Sequence, residues 1–287
     1  PIAHPPAVAD LYVLAQSGDE RWVGGVFGLF VAGPDGAWVP VDAPPASAEP
    51  EDEDEDDEDD EDDEDDEDDE DDEHDDEDHD DRGPLGVFRF AVSDDGRTAL
   101  VSRSIETRGY ARIERWTRED PRGPWTGCEA LTERDGDAPD DAAIALSADG
   151  SVAVVPGDVV CEVVRGRGPA TEVVAELAGV HVGDAVVGHG YAVLAAGGLV
   201  VIALATGAVL RDPSTRALRV GLLDDQHLVA VSAESLTVHR LADGGRVAAV
   251  DLTLPGAPTW LAVNRATREV VVGTVWGTLH RIPAPAH

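Results

Sequence analysis

The sequence predicts an all-β fold, and three observations carry that expectation. An apolar run, a polar Asp-Gly turn and a second apolar run stand at 90–101 as F-A-V-S-D-D-G-R-T-A-L-V, and return at 143–155 as A-I-A-L-S-A-D-G-S-V-A-V-V. Weaker copies follow near Tyr191, Leu228 and Val270. Equivalent turns near Asp95, Asp149, Gly190, Asp225 and Arg265 are spaced 54, 41, 35 and 40 residues apart. No stretch holds a helical period with caps. A repeat of ~40 residues with four short strands per unit specifies a β-propeller. Counting the N-terminal strands gives six blades, with seven as the alternative count. A β-sandwich does not explain the period, and a ring of sheets also removes exposed edges.

The elements follow in order. Residues 1–42 carry the first blade, with apolar runs at 11–15, 22–31 and 38–41 and a G-P-D-G turn at 33–36. Residues 43–86 are read as a disordered acidic insertion. A-P-P-A-S-A-E-P opens it, and a D-D-E-based run fills 51–81, broken only by His74 and His79. Like charges repel at every helical spacing, and nothing apolar is there to bury. Because loop closure cost grows slowly with length, the run reads as an insertion in a surface loop.

Residues 87–287 supply the remaining blades. Strands are expected at 88–93, 97–102, 110–116 and 125–131, then at 142–147, 151–155, 159–164 and 172–177. The next two units run through 182–188, 191–195, 199–204 and 208–211, and through 218–223, 228–231, 236–241 and 247–252. The last unit has three, at 259–263, 270–274 and 278–282. The residues before Asp10 are expected to supply its fourth.

Charge sharpens the picture. The formal net charge is −39, but 51–81 holds 29 of the 60 acidic residues. The remaining 256 residues carry 31 acidic and 21 basic side chains, a net of −10 and an ordinary surface. That clustering argues against salt adaptation, which spreads acidity over a whole fold. All 21 basic residues are Arg. The absence of Lys excludes P-loop and Schiff-base lysine chemistry. The bias toward Ala, Gly, Val, Asp and Arg suggests a high-GC bacterial genome. The chain starts at Pro1 without a basic segment leading into an apolar core, so an intact N-terminus, no secretory signal and a cytoplasmic location are expected. No apolar run reaches membrane-span length, and no membrane association is expected.

Candidate chemistry is sparse. Cys128 and Cys161 sit in strand-like runs and read as core thiols. His181 with Asp184, and His189, invite a metal or catalytic reading, but a hydrogen-bonded turn His explains His181 more simply. His227, His239 and His280 read as isolated, His74 and His79 as chance interruptions. No G-x-S-x-G elbow occurs. No catalytic residue, metal site or cofactor is expected.

The partner-binding candidates are the acidic run, marked by Glu51, Asp60, Asp71 and Asp81, and the basic cluster Arg108, Arg112, Arg115 and Arg118. Three readings of the run stay open. It holds divalent cations loosely, since carboxylates suit Ca²⁺ and Mg²⁺; it mimics nucleic acid toward a basic protein; or it only solubilises. The Arg-rich stretch 103–122, with Tyr110, Trp116 and Trp125 nearby, reads as a basic patch for nucleic acid or an acidic partner, or, the favoured reading, as the docking surface for the chain's own acidic run. Direct nucleic-acid binding is not the expectation.

The segments S-D-D-G-R-T-A-L-V at 93–101 and S-A-D-G-S-V-A-V-V at 147–155 resemble the S-x-D-G turn of WD40-like bacterial propeller repeats. L-T-V-H-R-L-A-D-G-G at 236–245 resembles their third strand and following turn. No unit carries the Trp-Asp dipeptide; R-W-T at 115–117 and H-R-L at 239–241 stand in its place. The resemblance implies a non-enzymatic platform for protein partners. The alternatives are a hydrolase or lactonase with a metal in the central channel, and a chaperone-like or DNA-mimic module acting through the acidic run.

Overall fold

A computed structural model describes residues 11–17, 20–25, 28–32, 36–44, 87–104, 110–132, 138–139, 141–167 and 171–286. The expected acidic insertion and the expected closing strand before Asp10 lie outside the described residues.

Six antiparallel sheets follow one another along the chain. Blade one is β1 (Leu11–Ser17), β2 (Glu20–Gly25), β3 (Gly28–Ala32) and β4 (Trp38–Val41). Blade two is β5 (Val87–Val92), β6 (Thr98–Ser104), β7 (Tyr110–Thr117) and β8 (Gly127–Ala130), with the two-residue β9 (Ala138–Pro139) also paired to β7. Blade three is β10 (Ala145–Leu146), β11 (Val152–Val155), β12 (Val160–Arg165) and β13 (Glu172–Ala178). Blade four is β14 (Asp184–Gly188), β15 (Tyr191–Ala195), β16 (Leu199–Ala203) and β17 (Ala208–Asp212). Blade five is β18 (Arg219–Leu222), β19 (His227–Val231), β20 (Ser235–Arg240) and β21 (Arg246–Asp251). Blade six is β22 (Pro258–Asn264), β23 (Glu269–Thr274) and β24 (Leu279–Pro283).

The core is divided among the spaces between blades. Ala99 and Val101 of β6 pack toward blade one, and Leu100 between them packs toward blade three. Likewise Val193 and Ala195 of β15 face blade five, while Ala192 and Leu194 join the cluster shared with blade three. A strand covered on both sides needs apolar side chains at every position, because successive residues point to opposite faces. This is why the middle strand β11 is Val-Ala-Val-Val, and β19 runs Leu-Val-Ala-Val after His227. Each buried Val or Leu contributes about 1.5–3 kcal/mol by leaving water. The outermost strand β17 is exposed over most of its length.

The apolar run 22–31 spans two strands, β2 and β3, which pair from Arg21–Ala32 to Gly25–Gly28. The strand β9 was not expected, since two residues ending in Pro carry no pattern.

The turns between the inner two strands fall where the sequence puts them. In blade three, Ser147 N donates to Val152 O at 2.8 Å, and Gly150 N to Ser147 O at 2.8 Å. Gly150 has a φ of 72°, and a Cβ there would lie 2.8 Å from Thr98 of blade two. Only Gly meets both the backbone and the space requirement. The matching turn of blade two, Ser93–Gly96, touches it through Asp94 N, which donates to Ala148 O at 2.7 Å. The repeat motif therefore closes the hairpins of blades two and three and joins these two blades.

Candidate functional site

The segments entering the inner strands of blades three, four and five converge at one end of the channel. Asp141 precedes β10, His181 and Gly183 precede β14, and Arg216 and Arg219 flank the start of β18. Arg89 of β5 and the β15–β16 turn, with Gly197 and Gly198, complete the rim. Together they bound a cavity of about 610 Å³.

Backbone carbonyls orient the arginines. Arg89 donates from Nη2 to Asp141 O at 3.0 Å and from Nη1 to Phe88 O at 2.9 Å. Arg219 Nη1 donates to Leu218 O at 2.6 Å and to Gly183 O at 3.1 Å. His181 Nε2 lies 3.6 Å from Asp141 Oδ2, so His181 pairs with Asp141 and not with Asp184.

Asp184 sits deeper in the channel wall, where its Oδ2 accepts Val220 N of the next blade at 2.8 Å. Burial raises its carboxyl to about 6, against the opposing pull of that hydrogen bond and of Arg219 and Arg89. Below the rim, inner strands β14, β18 and β22 enclose a second cavity of about 270 Å³. Gly221 lets these strands approach: a Cβ there would meet Val263 at 2.8 Å and Leu261 at 3.1 Å.

Of the basic cluster expected from the sequence, Arg115 and Arg118 are buried. Arg115 is only 1% exposed, and its Nη1 lies 3.4 Å from Glu129. Burial lowers its pKa from the usual guanidinium value. Arg118 is 7% exposed. Its guanidinium lies 4.4 Å from the Trp125 ring centroid and 5.4 Å from that of Trp22. It also donates to Gly96 O at 2.6 Å, Gly123 O at 3.1 Å and Glu20 at 2.9 Å. Trp22, Trp116 and Trp125 belong to the core between blades one and two, so the aromatics near these arginines are packing residues. Arg112 is half-buried on β7. Arg108, Glu51, Asp60, Asp71 and Asp81 lie outside the described residues.

Among the described residues the histidines do not assemble into a site. His227 Nδ1 meets Asp224 at 2.9 Å, and His280 Nε2 meets Thr278 at 2.9 Å. His189 holds a φ of 52° in the β14–β15 turn. His239, read as isolated, is fully buried between Gly244 O and the Thr237 hydroxyl, each at 2.9 Å. Among the described residues no group of three or more His, Cys, Asp or Glu side chains could hold a metal ion. Cys161 is buried, as expected, and Cys128 is half-buried; burial pushes their thiols up to about 12 and about 11.

Sequence reasoning missed the rim, although a signal was there. Arg89, Asp184 and Arg219 each stand six residues before the turn positions Asp95, Gly190 and Asp225. Aligning the units on their turns gives these charges equivalent positions in their inner strands.

These sheets around a channel define a six-bladed β-propeller, and solved structures give it a more particular likeness. The C-terminal WD40 domain of Sif2 matches with a TM-score of 0.58 and 12% identity, over 98% of this chain and 69% of that one. The β-propeller domain of Cps50 (Swd1) from Myceliophteria thermophila matches with a TM-score of 0.60 and 9% identity, over 96% and 83% of the two chains. The fold is thus that of WD40 propeller domains. No protein-family model and no curated protein matches the chain.

Proposed function

We propose that this chain is a non-enzymatic protein-interaction scaffold of the bacterial cytoplasm, docking partners at the channel rim. The observation that carries the reading is the rim itself: segments of four successive blades meet there around one open cavity. A rigid frame that collects loops at one end suits recognition of a partner. The WD40 likeness supports the same reading by analogy of fold. Two free thiols fit a reducing compartment. The acidic run at 51–81 is a second element, for basic partners or loosely held cations. The channel-hydrolase alternative calls for several converging metal ligands, and among the described residues the rim offers Asp141 and His181 beside three arginines.

The test is a pull-down from the native host with the full chain and a version lacking residues 49–81, at low and moderate salt. The same salt-resistant partners from both versions are expected. Basic partners lost with the acidic run would move function to that run. No partner from either version would overturn the scaffold reading and favour a small-molecule activity in the channel.

A further inference from the structure

We infer that the channel rim is a docking site for an acidic peptide segment of a partner protein, read by Arg216 and Arg219 beside Arg89. The inference rests on the scaffold reading and adds the chemistry of the partner.

Local charge is the first argument. Among the described residues, three guanidinium groups and His181 line one cavity, and Asp141 is the carboxylate that lines it with them. Asp184 lies below, on the β14 wall. The chain as a whole carries −39, so this rim is a positive focus on an acidic molecule.

Donor geometry is the second. Arg219 Nη1 is held by two carbonyl oxygens, which fixes the plane of the guanidinium. Its Nε and Nη2 have no hydrogen-bond partner among the described residues, and Arg216 is exposed. A planar fork held in place in this way suits bidentate carboxylate binding.

Access is the third. Gly183, Gly197 and Gly198 line the cavity, and a Cβ at Gly197 would meet nothing within 4 Å. A peptide backbone can therefore approach the rim closely. A cavity of about 610 Å³ admits several side chains of an extended segment. A basic segment would meet three cations, and a nucleic-acid polymer would meet the charge of the whole molecule.

The experiment is fluorescence anisotropy of fluorescein-labelled hexaglutamate with the full chain at low salt. The expected result is saturable binding that weakens with salt. Arg216→Ser should weaken it about tenfold, and Arg216→Ser with Arg219→Ser by a further factor of about ten. Arg211→Ser, on the exposed outer strand of blade four, should leave it unchanged. Unaltered thermal unfolding of Arg216→Ser keeps the comparison one of binding. No binding to the full chain, or binding indifferent to both rim substitutions, overturns the proposal. Citrate competing as tightly as the peptide would make the rim a small-anion pocket and overturn it too. Binding that emerges only after removal of residues 49–81 would assign the rim to the chain's own run. These readouts are separate from partner capture, so scaffold and ligand class fail independently.

Discussion

Ser147 Oγ donates to Asp149 Oδ1 at 2.6 Å, and the same bond joins Ser93 to Asp95 at 2.6 Å one blade earlier. In each turn the serine oxygen also accepts a backbone N–H five residues on, from Val152 at 2.9 Å or Thr98 at 3.1 Å. Ser147 and Ser151 hold the Asp149 carboxyl at about 2. Its folded pKa is below the ordinary carboxylate value, so its contribution is complete above about pH 4 and is lost as pH falls through about 2. Asp149→Ala should destabilise by about 1 kcal/mol at neutral pH. Asp149→Asn, which keeps an acceptor, should cost less. Urea unfolding read at neutral pH checks both; equal losses would show that the hydrogen bonds are not the cause.

Arg118 is a structural cation. It closes the aromatic core between blades one and two, and its partners Glu20, Gly96 and Gly123 span both blades. Arg118→Ala leaves the carbonyls of Gly96 and Gly123 short of a donor, uncovers two tryptophan faces and removes the partner of Glu20. The expected cost is about 3 kcal/mol. Arg118→Lys keeps the charge but not the fork, and should still cost about 2 kcal/mol. Urea midpoints of both variants give the measurement, and a wild-type midpoint for the alanine variant would return Arg118 to the surface.

Asp184 gives stability an unusual pH slope. Its folded carboxyl, at about 6, lies above the ordinary value. The folded state therefore favours the protonated form, and stability falls as pH rises from about 4 to about 6. The full loss is on the order of 3 kcal/mol. Asp184→Asn still accepts from Val220 N and carries no charge to bury. It should flatten that slope and raise stability at pH 7. A denaturation series between pH 4 and pH 7 checks this, and parallel curves for the two proteins would refute it.

The fold was legible because its signals are local. Asp-Gly punctuation and apolar runs at a ~40-residue period need no knowledge of what packs where, and they located every inner turn from Asp95 to Arg265. The site was less legible because burial of charge is not local. Arg118 meets Glu20 across 98 residues of chain, and nothing in R-W-T-R shows that Trp22 waits opposite. Charge density alone suggested a surface patch at 103–122, where the structure puts two of the arginines inside. The equivalent positions of Arg89, Asp184 and Arg219 in their repeats were visible; the cavity that Arg89 and Arg219 share, with Asp184 outside it, was not.

His239 links two strand neighbours to a turn, and its contribution is measurable as a coupling. Its Nε2 meets the Thr237 hydroxyl, which itself donates to Ala230 O at 3.2 Å, while Nδ1 meets Gly244 O. Which ring nitrogen carries the proton follows from the carbonyl: only Nδ1–H can donate to Gly244 O, so Nε2 is an acceptor and competes with Ala230 O for the single Thr237 hydroxyl proton. Burial lowers the pKa of the imidazole. The folded state therefore holds it neutral, and stability declines as pH falls below the ordinary histidine value of about 6.5. His239→Ala should cost about 2–3 kcal/mol, from a cavity and an orphaned carbonyl. Thr237→Val should cost about 1 kcal/mol. If the two side chains act as one bonded unit, the double variant will lose about 1 kcal/mol less than the sum of the single losses. Strict additivity in that cycle would show that the 2.9 Å contact carries no free energy, leaving His239 as a packing residue alone.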